Sequence, residues 1–264
     1  MKINFFIFGM IVLAFTGVSF GWQAGDLTVT VTESPMNIKV AAGAKTLMDI
    51  TKISFGSSDY SSISTVSETA DSLVLNLESD VTLMIKPIFR GIRFYGKVNS
   101  AKSVKINMKD QNDHFFGIAE QNFYGNSPDL RSHTIDISRA NMDNTRLKAE
   151  PYARLWSSFY MSSLGYGSFF DSFAEGTYAF GTDGVTSIKH NTNTIDWYIY
   201  YGPTGNKIHQ AYYKTIQIVE NLGTRSPTEH VPIWACGLVV WNDNYSGSSQ
   251  ILSQVTNFTA HKIP

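Results

Sequence analysis

Cysteine is nearly missing from this chain: Cys236 is the only one. A single thiol cannot close an internal disulfide, so the chain must be held together by its core. Charge is scarce too. Asp, Glu, Lys and Arg make up 16% of the residues and sum to a net charge of −1, against roughly 25% charged residues in an ordinary soluble protein. There is neither a basic stripe nor an acidic tail, so nucleic acid is not an expected partner. The six histidines (114, 133, 190, 209, 230 and 261) show no H-x-x-x-H or comparable spacing, and no metal site is expected from them. Gly165 and Gly167 form a G-x-G without a third glycine; they read as glycines at a strand bend rather than a nucleotide loop, and no cofactor is expected.

An apolar run of membrane-spanning length is lacking as well. Residues 5–15 (FFIFGMIVLAF) are apolar but number only 11, short of the roughly 20 that cross a bilayer. Lys2 precedes the run, and the small residues Gly17, Ser19 and Gly21 follow it. Together they read as a signal peptide over residues 1–21, cleaved after Ser19 or Gly21, with an uncleaved anchor as the alternative. An exported chain, periplasmic or extracellular, with no membrane partner after cleavage is the expectation.

What fills the chain instead is Ser, Thr, Asn, Gly and apolar residues alternating with period two. Leu27, Val29 and Val31 alternate with threonines; Leu73, Leu75 and Leu77 repeat the pattern, as do Val81, Leu83 and Ile85, and Val104, Ile106 and Met108. Such alternation between Gly, Ser, Asn and Pro clusters predicts half-buried antiparallel strands, and several at short spacing predict a β-sandwich. Residues 113–150 break the pattern, being polar without apolar periodicity, and read as a long functional loop. Strands resume over residues 157–171 and 195–201. A helix is predicted after Gly202-Pro203, with Thr204 as N-cap and Ile208, Tyr212, Thr215, Ile216 and Val219 on one face. Residues 233–240 (IWACGLVV) form a nearly continuous apolar run, as expected of a strand buried on both faces of a parallel sheet. Cys236 within it reads as a packed small hydrophobe. A second helix is predicted from about Ser248, with Ile251, Leu252, Val255 and Phe258 on one face. One β/α unit cannot cover its own strand, so this C-terminal part is expected to expose apolar surface.

Four phrases stand in order along the second half: FFGIAEQ (115–121), FYMSSLGYGSFFDS (159–172), DWYIYYGPTGNKIHQAYYKTI (196–216) and VPIWACGLVVW (231–241). In that order they resemble glycoside hydrolase family 31, the α-glucosidases, α-xylosidases and related retaining enzymes. The resemblance covers about residues 113–264. It implies a mainly β chain: a galactose-mutarotase-like β-sandwich over residues 22–227 with a linker helix at about 205–220, then one orphan β/α unit, residues 228–264, that begins a (β/α)8 barrel. Departures are a longer segment between Tyr213 and Pro232, and Gly205 where the family usually has proline.

The resemblance also implies where sugar would be met. Asn141-Met142-Asp143 is similar to the Asn-x-Asp of the family's N-terminal loop, which would place Asp143 on substrate; taken alone, the residues read equally as an Asx turn. Trp241 and Asp243 follow the first barrel strand, where active-site groups of such barrels gather, although a core or rim Trp remains an open reading. Asp113, His114 and Glu120 have no spacing that requires acid–base chemistry. The family's Trp-x-Asp-Met-x-Glu nucleophile segment and its later acid/base Asp do not occur here, so no catalytic residue is assigned. A retaining glycosidase needs two carboxyls about 5–5.5 Å apart, and one barrel strand cannot supply both. The expectation is an exported, non-catalytic N-terminal portion of an α-glycosidase, inactive alone, with an α-linked oligosaccharide or glycoside and the remainder of the barrel as partners. A stand-alone carbohydrate-binding or scaffold sandwich is the alternative.

Overall fold

The structure, a computed structural model, describes residues 19–69, 71–78, 81–119, 127–137, 156–219 and 247–261. The chain divides into two units, Met1–Thr215 and Ile216–Pro264. In the first, alternating sequences become two antiparallel sheets. One sheet runs in the order β1 (Ser19–Ala24), β2 (Leu27–Thr32), β3 (Asn37–Ala42), β4 (Lys45–Phe55), β10 (Val104–Lys109), β16 (Val185–His190), β15 (Gly176–Thr182) and β12 (Thr134–Ile137), with β5 (Ser58–Tyr60) also paired to β4. The other runs β11 (Phe115–Ala119), β13 (Trp156–Ser162), β14 (Tyr166–Phe170), β17 (Thr194–Tyr201), β9 (Gly91–Lys97), β8 (Val81–Ile88), β7 (Leu73–Leu77) and β6 (Ile63–Glu68).

Period two does the layering. Every second residue of β2, β7 and β10 is buried while its neighbours stay partly or fully exposed, because successive Cβ atoms point to opposite faces. The inward sets form one core drawn from both sheets. At one end of it Phe115 and Tyr160 of the second sheet meet Phe180 of the first at ring separations of 4.6 and 5.1 Å. Each such side chain, fully buried, is worth roughly 1.5–3 kcal/mol over exposure.

α1 (Gly205–Val219) begins where the Thr204 carbonyl accepts the Lys207 and Ile208 amides. Its buried Ile208 and Ala211 and half-buried Tyr212 pack with Tyr198, Tyr200, Phe159 and Phe169 on the outer face of the second sheet. Tyr212 stacks on Phe159 at 4.3 Å. A Cβ on Gly167 would lie 2.4 Å from Ile208 Cγ2, so the glycine lets the helix lie close. Neighbours in sequence therefore separate in space: Phe170 and Tyr201 belong to the inter-sheet core, whereas Phe169 and Tyr200 lie under the helix.

Two short strands, β11 and β12, lie inside the polar stretch that reads as loop. Each is the outermost strand of its sheet, and an edge strand with one partner needs less apolar sequence than a central one. β15 and β16 likewise escape the period-two reading. In the second unit α2 (Ser248–Ala260) forms where predicted, with Ile251, Leu252 and Val255 at 46, 65 and 55% exposure. The expected barrel strand at 233–240 and the boundary at 227/228 lie outside the described residues.

Candidate functional site

Asp143, Trp241 and Asp243 all lie outside the described residues, as does Glu120. The geometry that is described lies where β10 hands over to β11 and β13 turns into β14, at the start of β12 and the end of β13. Arg131 is the hinge of this region. Its Nη1 donates to Asp110 Oδ1 at 3.0 Å and to the Asp113 carbonyl at 2.8 Å, and its Nη2 donates to Asp110 Oδ2 at 2.6 Å. That fork holds the Asp110 carboxyl below the ordinary carboxylate range.

Asp113 behaves in the opposite way. It is buried, and burial raises its carboxyl even though the Ser162 and Tyr166 hydroxyls both donate to it. His114, next in sequence, points outward with its side chain 56% exposed, and its Nδ1 donates to Asp129 Oδ2 at 2.5 Å. Asp129 also accepts the Phe115 and Arg131 amides at 3.1 and 3.0 Å. Burial alone would raise the Asp129 carboxyl; the bonds from His114 and the two amides outweigh it and hold it low.

These residues make a clasp rather than a reaction centre. Asp113 sits under the surface with its Oδ2 accepting both hydroxyls, and Asp110 is neutralised by its arginine. Asp129 and His114 form a surface carboxylate–imidazole couple, with the Ser163 hydroxyl taken up by the His114 amide at 3.0 Å. Asp196, within the phrase at 196–216, is gripped by Arg93 through two bonds of 2.7 Å.

β11 leaves the clasp through strained backbone. Gly117 has φ 128 and Ile118 φ 69, where the β11–β13 register slips. A β-branched residue at positive φ is a backbone outlier. A Cβ on Gly117 would meet Phe159 O at 2.7 Å, so only glycine fits there. The bulge re-aims the chain as it leaves the sheet. Replacing Asp113 by Ala is expected to destabilise by about 1–3 kcal/mol, because two buried hydroxyls lose their acceptor. Asp113→Asn keeps an acceptor oxygen and should be milder; urea unfolding of both variants checks this, and equal losses would contradict the account.

Sequence reading missed Asp129 and Arg131 because no periodicity links them to Asp110, Asp113 and His114. The only available signal was the Asp-Gln-Asn-Asp-His run itself (110–114), too polar to leave unpartnered at a sheet edge.

The phrases at 115–121, 159–172 and 196–216 fall on β11, β13, β14, β17 and α1, four consecutive strands of one sheet and the helix laid across them. A family 31 sulfoquinovosidase from E. rectale, solved with an aza-sugar inhibitor, superimposes on 84% of this chain with a TM-score of 0.56 at 14% identity. This is the β-sandwich fold of glycoside hydrolase family 31 enzymes. The cycloalternan-forming enzyme of Listeria monocytogenes, solved with a pentasaccharide substrate, matches 94% of the chain at 16% identity and a TM-score of 0.50. The chain spans 38% of the first protein's length and 26% of the second's. No family model and no curated protein matches it by sequence. The family 31 likeness is thus one of fold.

Proposed function

We propose that this chain is the N-terminal, non-catalytic portion of an exported retaining α-glycoside hydrolase of family 31. One observation carries the reading: the family-like phrases converge on one half of one sheet and its covering helix, in a fold shared with a family 31 enzyme. In this reading residues 1–21 are the leader, residues 22–227 the sandwich, and residues 228–264 the start of the barrel. The sandwich braces the barrel and lends a loop that brings Asp143 to the sugar. Trp241 and Asp243 stand at the end of the first barrel strand. Hydrolysis of an α-linked glucoside, or of a near relative such as an α-xyloside or α-galactoside, proceeds with retention by two barrel carboxyls.

The test is to read the coding DNA past the Pro264 codon and to assay the 264-residue chain on 4-nitrophenyl α-glycosides. The expected results are a continuation bearing the nucleophile Asp and no turnover by the chain itself. A stop followed by no barrel sequence would overturn the reading. The second reading, a stand-alone carbohydrate-binding sandwich, is favoured by the self-contained core of the first unit.

A further inference from the structure

At one end of the sandwich the sheets leave an open cleft of about 380 Å³. Its walls are the β1–β2 turn, carrying Gly25 and Asp26 above Leu27, and the β8–β9 turn, carrying Phe89 and Arg90; Tyr201, the last residue of β17, closes the back. All of these residues belong to the first unit.

The β8–β9 turn is the informative part. Ile88 pairs with Gly91, so the turn has only Phe89 and Arg90 at its tip. Arg90 adopts φ 55, a conformation that turns ordinarily give to Gly or Asn. Phe89 is 51% exposed. The Arg90 guanidinium lies 5.7 Å and the Lys214 ammonium 5.9 Å from the ring centroid, which leaves the ring half exposed.

The cleft thus offers an exposed aromatic face, a donor-only guanidinium and, across the gap, the acceptor-only carboxylate of Asp26. A pyranose has a matching surface: an apolar C–H face and vicinal hydroxyls that both donate and accept. The volume falls at the lower end of small-molecule pockets, roughly 300–1,000 Å³, and suits one or two sugar units. A phosphate or other small anion is disfavoured by the carboxylate. We propose that this cleft is a saccharide-binding site, with Phe89 stacking on the ring and Arg90 and Asp26 bonding its hydroxyls. It needs no barrel residue, so it stands whether or not the glycosidase reading does.

Saturation-transfer NMR on the full chain with glucose, xylose, maltose and isomaltose tests this. Transfer to the ring C–H protons of at least one sugar is expected. Phe89→Ala should weaken that binding about tenfold. Arg90→Gly is the sharper probe, because glycine suits φ 55 better than arginine; the variant should unfold at the same temperature or higher while binding sugar about tenfold more weakly. Unchanged binding in both variants, no transfer to any of the four sugars, or displacement of the sugar by millimolar inorganic phosphate would each overturn the proposal.

Discussion

Gly91→Ala is expected to destabilise the protein by at least about 3 kcal/mol, and to prevent folding if the sheet cannot part. Gly91 opens β9, paired with Tyr200 on one side and Ile88 on the other. An added Cβ would fall 2.1 Å from Ile199 O, 3.0 Å from Ile199 C and 3.2 Å from Tyr200 Cα. All three atoms are backbone, so no side chain can swing aside. Relief must come from separating β9 from β17, the pair at the centre of the second sheet, of which β17 also supports α1. Gly205→Ala is the matched control. Its Cβ would meet only Met161 Sδ, at 3.9 Å, and alanine at the start of a helix should be neutral or stabilising by up to about 1 kcal/mol. Urea unfolding of both variants decides the matter; similar midpoints would show that the close approach does not limit stability.

Acid should remove about 3 kcal/mol of stability through one buried imidazole. His190 is fully buried at the end of β16, stacked on Phe170 at 4.3 Å. Its Nδ1 lies 3.1 Å from the Ala174 carbonyl, which can only accept, so Nδ1 carries the proton; Nε2 accepts from the Tyr178 hydroxyl at 2.8 Å. Both ring nitrogens are therefore satisfied in the neutral form. Burial lowers the imidazole from 6.5 to about 4. Between those values the unfolded chain binds a proton that the folded chain refuses, so stability rises with pH across the window. The contribution is complete above about 6.5 and is lost as pH falls to about 4, a difference of roughly 3 kcal/mol. Chemical denaturation at pH 7 and pH 4, with His190→Gln as reference, measures it. The wild type should lose about 3 kcal/mol more than the variant; parallel losses would assign the acid sensitivity to carboxylates such as Asp110 and Asp129, whose lowered values act in the same direction at lower pH.

The strands with uninterrupted alternation, β2, β7, β8 and β10, were legible because each is buried on one face and wet on the other. The helix after Gly202-Pro203 was legible for the same kind of reason, one apolar stripe at helical spacing. β11 and β12 were not, because edge strands are held by backbone pairing more than by apolar content. The clasp was not, because Asp110 and Arg131, or His114 and Asp129, meet only once β10, β11 and the segment before β12 have folded back on each other. The cleft had one faint mark, a Phe-Arg pair in a two-residue turn whose second position favours Gly or Asn.

Local pattern by itself determined that this is a β-rich chain with a helix at 205–219 and another at 248–260. It also determined that no disulfide braces the fold, because a single thiol cannot make one. Which strands become neighbours was decided only by tertiary structure. The order β11-β13-β14-β17-β9 joins segments separated by up to about a hundred residues, and closing such loops is favourable only when all the inward faces are buried at once. The roles of acids were decided there as well. Asp110 and Asp113 stand three apart in a polar run and look alike in sequence. One meets a guanidinium and is held ionised, while the other is buried beneath two hydroxyls and is pushed toward its protonated form, because a carboxyl's charge state follows its solvent and its partners rather than its place in the chain.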